Sequence, residues 1–215
     1  ISSLANGIST AKNLLLSEDV LASIQAVKKL GVKVVVNKNT CKIYGVGVGG
    51  YKYKKNLIIN AQNSGTLGRL IAGILIDTPY PIKIIGDRSL SKRDFKRIAK
   101  PLSKFGASFK LNNNSLPLLV NGSQKLKPIK YFEKRGSAQC KSSVMFGAIK
   151  ASGKTTIKAK KSRNHTELLF KYLKLPINIK KNKNFDLIEI QKVSKIKPIN
   201  YNIPSDISSG AFFIA

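Results

Sequence analysis

The chain has 215 residues, a length that suits one large domain or two small ones, and its 42% hydrophobic content is enough to bury a core. Lysine and arginine total 39 against 10 acidic residues, so the net charge is +29 and anions are the natural partners: nucleic acid, acidic membranes or phosphorylated metabolites. A lysine-, isoleucine- and asparagine-rich compositional bias accounts for the charge as well, and the lysines are spread along the chain rather than gathered in an arm. The two cysteines, Cys41 and Cys140, lie far apart and there is one histidine, so no zinc-ligand spacing exists and free thiols in a reducing cytoplasm are expected. The longest apolar run, Leu70 to Ile76, is too short to span a bilayer. The chain opens on Ile1 and stops inside the run "SSGAFFIA", which reads as a fragment cut at both ends.

In chain order, the first predicted helix begins after Ser17, a candidate N-cap, with Glu18 and Asp19 in the first turn, where the helix dipole favours acids. Val20, Ile24, Val27 and Leu30 share one face, and Gly31 is a left-handed stop. Two strands around an Asn/Lys turn follow. The same order returns twice. One copy starts at "DFKRIAKPLSKFGASF", with Phe95, Ile98, Leu102 and Phe105 as its stripe, Gly106 as breaker and a helix kink or break expected at Pro101. The other starts at "NHTELLFKYLKLP", with a capping box from Asn164 and Glu167, inward Leu168, Leu169, Tyr172 and Leu173, and Pro176 as breaker. Between these copies lie further strand–helix pairs. "NLIIN" precedes the "NSGT" helix, "PIKII" precedes "GDRSLSKRDF", and "GSAQCKSSVMFGAIK" precedes "KTTIKA". Each repeat therefore reads as βαβαββ, and three of them make an α/β domain with helices packed against or inside sheets.

Four stretches could carry chemistry. "NSGT", Asn63 to Thr66, gathers hydroxyls, a glycine and free backbone N–H groups at a helix start, an anion-binding arrangement, and Gly65 admits close approach of a ligand. Helix capping by Asn63 or Ser64 is the competing explanation. Arg93, in "GDRSLSKRDFKR", could hold a carboxylate or phosphate in a fork, or be a solvated surface residue. "GSAQCKSS", Gly136 to Ser143, offers hydroxyl and amide donors around Gln139 suited to a polyhydroxylated, phosphorylated ligand, or a serine-rich helix start. "SRNHTE" places Arg163 before a helix. His165 has no triad or metal pattern around it and reads as structural.

The order of "LLLSEDV", "NSGTLGRLIAGIL", "GDRSLSKRDFKRIAKPL", "SAQCKSS", "SRNHTE" and "PSDISSGAFFIA" resembles the 5-enolpyruvylshikimate-3-phosphate synthase family along essentially the whole chain. The resemblance implies an inverse α/β barrel of the enolpyruvyltransferase type, with three βαβαββ repeats in this lobe. Residues 1–203 would bind shikimate 3-phosphate, the first repeat being truncated. Residues 204–215 would be the hinge and the start of the second lobe. It implies transfer of the enolpyruvyl group of phosphoenolpyruvate to the 5-hydroxyl of shikimate 3-phosphate, with no cofactor and no metal, by a cytoplasmic protein that is monomeric at full length. Neither nucleic acid nor membrane is an implied partner.

The implied substrate-binding residues are Asn63, Gly65 and Thr66 around phosphoenolpyruvate, Arg93 on its charge, Ser137 and Ala138 on shikimate 3-phosphate, Gln139 on both, and Arg163 on the shikimate phosphate. Asp19 and Asp206 match supporting acidic positions, and Arg69 would support its loop. The catalytic acid and base of the family, and its N-terminal "GDKSxSxR" motif, have no match in this chain, so the polypeptide alone is expected to be inactive. Asp94, Asn164 and Ser205 stand where the family has proline, aspartate and glycine. The rival readings are the sister transferase acting on UDP-N-acetylglucosamine and a basic nucleic-acid-binding module.

Overall fold

A computed structural model describes residues 1–204. Three four-stranded sheets organise it. The second sheet is the simplest. Strand β4 (Leu57–Asn60) leads through helix α2 (Gly65–Ile74) to β5 (Ile82–Ile85), and β4 and β5 pair in parallel. A 3-10 turn (Leu90–Lys92) and α3 (Lys96–Ser103) follow, and then β6 (Ser108–Asn112) and β7 (Ser115–Asn121) form an antiparallel hairpin. The resulting order is β4-β5-β7-β6.

The third sheet repeats this plan with β8 (Lys130–Glu133), α4 (Ala138–Ala148), β9 (Thr155–Lys160), α5 (His165–Tyr172), β10 (Ile177–Lys181) and β11 (Phe185–Ile190), in the order β8-β9-β11-β10. The first sheet uses β1 (Asn6–Lys12), then α1 (Glu18–Lys29), β2 (Lys33–Asn37) and β3 (Thr40–Val46). Its outer parallel strand is β12 (Asn200–Asn202), which arrives from the far end of the described chain to pair with β1.

The strands alternate: Leu116, Leu118 and Val120 of β7 and Asp186, Ile188 and Ile190 of β11 are buried while their neighbours are partly or fully exposed. Each sheet thus turns one face inward. The space inside holds α2 and α4, which are buried on almost every side, α4 from Cys140 to Ala148 without a break. One hydrophobic core joins residues of all three sheets and all five helices. Helices within, sheets without, is the inverse α/β arrangement read from the sequence.

Close approach of the two inner helices depends on Gly73: a Cβ there would lie 2.0 Å from the Ser143 carbonyl oxygen. At the far ends of the same helices, Lys150 pairs with Asp77, and burial holds the Lys150 ammonium below the usual lysine range while Asp77 opposes that shift.

Several local expectations need correction. Ser17 and Asn164 occupy N-cap positions, but neither side chain accepts a helix N–H. Glu167 closes no capping box; it is buried against Lys141. Pro101 does not break α3, which runs on through it to Ser103. The inward face of α5 is Glu167, Phe170 and Leu173, while Leu168 and Tyr172 are exposed. Gly31 and Gly106 are left-handed as expected, at φ +86° and +115°. In the third repeat Lys174 takes that conformation, at φ +52°, two residues before the breaker Pro176.

Candidate active site at the starts of α2 and α4

Ser64 is the N-cap of α2, its hydroxyl accepting from the Leu67 N–H at 3.1 Å. Asn63 therefore has its side chain to spare, and its amide donates to Asp87 Oδ2 at 2.6 Å. The other oxygen of Asp87 accepts from the Leu90 N–H at 2.6 Å. These two bonds, the backbone one first, hold the Asp87 carboxyl below the usual carboxylate range. Asp87 thus ties the "NSGT" loop to the "GDRSLSKR" loop, and it is a residue the sequence reading did not single out.

Gly65 begins α2 and is buried. A side chain there would stand 2.8 Å from Arg69 Nη1 and 3.3 Å from Arg93 Nη1, so two guanidinium groups converge on this glycine. Arg93 is exposed, between the 3-10 turn and α3 rather than at the start of a helix. Arg69 is buried one turn into α2, its guanidinium 5.2 Å from the Phe95 ring centre. Burial lowers its proton affinity, and the nearby charges of Arg97 and Arg93 lower it further. Its Nε has no hydrogen-bond partner among the described residues. This is a concentration of positive charge to which a bound anion would give relief.

The start of α4 meets the start of α2 here. Ser137 caps α4 by accepting from the Cys140 N–H, and its own N–H donates to Glu133 Oε2 at 2.7 Å. Two residues on, Gln139 is held at both ends of its amide: Arg69 Nη1 donates to its oxygen at 2.6 Å, and its nitrogen donates to Thr66 Oγ1 at 2.9 Å. Such a clamp fixes the amide orientation. Ala138 is the first residue of the helix, partly exposed beside Ser137.

Arg163 joins through the backbone: its carbonyl accepts from Lys141 Nζ at 3.1 Å, and its side chain is exposed. Asn63, Gly65, Thr66, Arg93, Ser137, Ala138, Gln139 and Arg163 are thus connected through α2, α4 and the loops that precede α2, α3, α4 and α5. Asp19 is not: it is exposed in the first turn of α1, and no side-chain hydrogen bond or ion pair links it to the cluster among the described residues. Asp206 lies outside the described residues. His165 is exposed at the start of α5.

A groove of about 600 Å³ adjoins the cluster between α3 and the β8–α4 loop, lined by Arg97, Lys100, Tyr131, Arg135 and Cys140 among others. None of the clustered residues named above lines it, and at its edge Arg97 Nε donates to Cys140 Sγ at 3.1 Å. Among the described residues no group of His, Cys, Asp and Glu is placed to hold a metal ion, and no helix is long and apolar enough to cross a membrane.

Comparison with known proteins gives one consistent result. The family described as EPSP synthase (3-phosphoshikimate 1-carboxyvinyltransferase) matches residues 1–215. A 3-phosphoshikimate 1-carboxyvinyltransferase of Caldicellulosiruptor bescii is 42% identical over all of this chain and 49% of its own length. The protein of that name from Vesicomyosocius okutanii is 39% identical over all of this chain and 48% of its own. The EPSP synthase structure from Acinetobacter baumannii superposes with a TM-score of 0.88 at 34% identity, covering 99% of this chain and 48% of that one. The chain spans about half the length of the relatives it matches. With the helices-inside architecture and the joined loops already described, these matches place the chain in the EPSP synthase family.

Proposed function

We propose that the chain is the shikimate 3-phosphate-binding lobe of a 3-phosphoshikimate 1-carboxyvinyltransferase, with residues 1–203 forming the lobe and 204–215 the hinge and the start of a second lobe. The protein transfers the enolpyruvyl group of phosphoenolpyruvate to the 5-hydroxyl of shikimate 3-phosphate and releases phosphate, by addition and then elimination. It works as a cytoplasmic monomer.

Both substrates are anions, and the observation that carries the reading is the pair of guanidinium groups, Arg69 and Arg93, packed on Gly65. The absence of a Cβ lets an anion reach the start of α2, where N–H groups and the helix dipole also favour negative charge. Arg93 holds the charge of phosphoenolpyruvate, and Asn63 and Thr66 shape the loop around it. Gln139, its amide fixed by Arg69 and Thr66, presents its remaining N–H between the two substrates. Ser137 and Ala138 meet shikimate 3-phosphate, and the exposed Arg163 takes its phosphate in a charge-assisted contact. Groups held in advance in this way lower the barrier by positioning and by stabilising charge as it develops.

Calorimetric titration of the full-length protein tests the reading. Shikimate 3-phosphate is expected to bind saturably, UDP-N-acetylglucosamine not at all, and Arg163→Ala to weaken the first about tenfold or more, as loss of a charged hydrogen bond does. Binding of the nucleotide sugar instead, or only of DNA with a steep salt dependence, would overturn it.

A further inference from the structure

Helices α4 and α5 bury a set of polar groups between them that the proposed chemistry leaves unused. Lys141 and Glu167 are ion-paired at 2.5 Å with side chains 1% and 3% exposed. Apart from that ion pair, neither Glu167 carboxylate oxygen has a hydrogen-bond partner among the described residues. A pair of this kind is a poor source of stability, because desolvating both charges offsets their attraction and apolar residues of similar volume do as well.

Lys141 does something apolar residues could not: its Nζ donates to the carbonyl of Arg163 at 3.1 Å. The loop that carries Arg163, between β9 and α5, has few anchors of its own. Asn164 does not cap α5 with its side chain, and the Ser162 hydroxyl is buried without a partner. The Arg163 side chain has no ion-pair partner among the described residues. Its backbone is therefore the part of Arg163 that the fold holds. Beside the ion pair, the Ser142 and Thr166 hydroxyls meet at 2.7 Å and join the same two helices a second time. Gln139 lies two residues before Lys141 on α4, so one short stretch of helix holds both Gln139 and the Arg163 loop.

We infer that Lys141 and Glu167 are positioning residues for the phosphate-binding arginine. Glu167 holds the Lys141 ammonium in place, and the ammonium holds the Arg163 carbonyl, so the backbone from which the guanidinium reaches out is fixed before the substrate arrives. This rests on the proposed role of Arg163 in binding the phosphate of shikimate 3-phosphate. An arginine whose backbone is fixed in advance loses less freedom on binding, and that saving appears as affinity for the one ligand it touches.

The test replaces both partners at once in the full-length protein, Lys141→Met with Glu167→Met, because removing one alone strands a buried charge. The melting temperature is expected to stay within a few degrees of the parent and kcat and the KM for phosphoenolpyruvate within about twofold, while the Kd for shikimate 3-phosphate rises about tenfold. Adding Arg163→Ala to the pair is expected to cost nothing beyond Arg163→Ala alone, since the three act through one contact. A folded double variant that binds shikimate 3-phosphate as tightly as the parent, or losses that simply add, would overturn the inference. Should the double variant not fold, Lys141→Gln with Glu167→Gln keeps a neutral hydrogen-bonding pair but shortens the reach to the Arg163 carbonyl: a threefold or larger rise in Kd supports the assignment, and an unchanged Kd defeats it. If the parent itself does not bind shikimate 3-phosphate, the role of Arg163 and this inference fall together.

Discussion

Asp87 shows how much a single half-buried carboxylate can organise when its hydrogen bonds come from two directions. The Leu90 N–H and the Asn63 amide both favour the ionised form, so the folded state binds this proton less readily than the unfolded chain. A carboxyl depressed in this way adds stability above its unfolded pKa and loses it as pH falls through the folded one. The tie between the two loops is therefore expected to be intact at neutral pH and to release only in acid, below the ordinary carboxylate range. Carboxyl-carbon NMR should place the Asp87 midpoint below that of a model peptide, and Asn63→Ala should move it upward. Other residue-level features were invisible in the sequence for the same reason: they depend on partners distant in the chain. Arg69 was read as a loop support, but its bond to Gln139 crosses 70 residues. Ser17 and Asn164 carried good capping signals that tertiary packing did not use.

Among the elements, α2 and α4 set the tolerance of the site, because they meet within it at their starts and touch backbone to backbone further along. A methyl at Gly73 would sit at 2.0 Å from the Ser143 oxygen, and what it meets is main chain, which cannot rotate away. Gly73→Ala is expected to force the helices apart and destabilise the fold by about 3 kcal/mol, the upper range for overpacking, measured by urea unfolding. It should also loosen the clamp on Gln139, since Ser143 donates to the Arg69 carbonyl at 2.7 Å and Arg69 holds that amide. The helix–breaker–strand–turn–strand repeats were legible because each is local, with apolar period and stop residue in one run of sequence. Strand β8 was not, being four residues of "KYFE" with only Glu133 buried. The inward face of α5 was misjudged because an ion pair, and not a leucine, fills the place beside Phe170.

At the scale of the molecule, three sheets of one plan enclose the inner helices, and two of them are made from a single run of chain while the first is not. Strand β12 pairs with β1 in parallel, Ile203 donates to the Lys12 carbonyl at 2.9 Å, and Asn13 reaches the Ile203 carbonyl across 190 residues. The three-fold repeat could be read from sequence, but this pairing could not, since a three-residue strand has no periodicity to show. The pairing also sets an order in time. Loops this long close late, so on refolding the Thr10 amide, which donates to Ile199, is expected to gain exchange protection after the amides of β7 and β9, as pulsed hydrogen exchange would record. During synthesis the contrast sharpens: once β1 has left the ribosome, one of its edges stays open until nearly two hundred further residues have emerged. For that interval Asn6–Lys12 offers unpaired backbone groups to a neighbouring nascent chain, a hazard that ends only when β12 arrives.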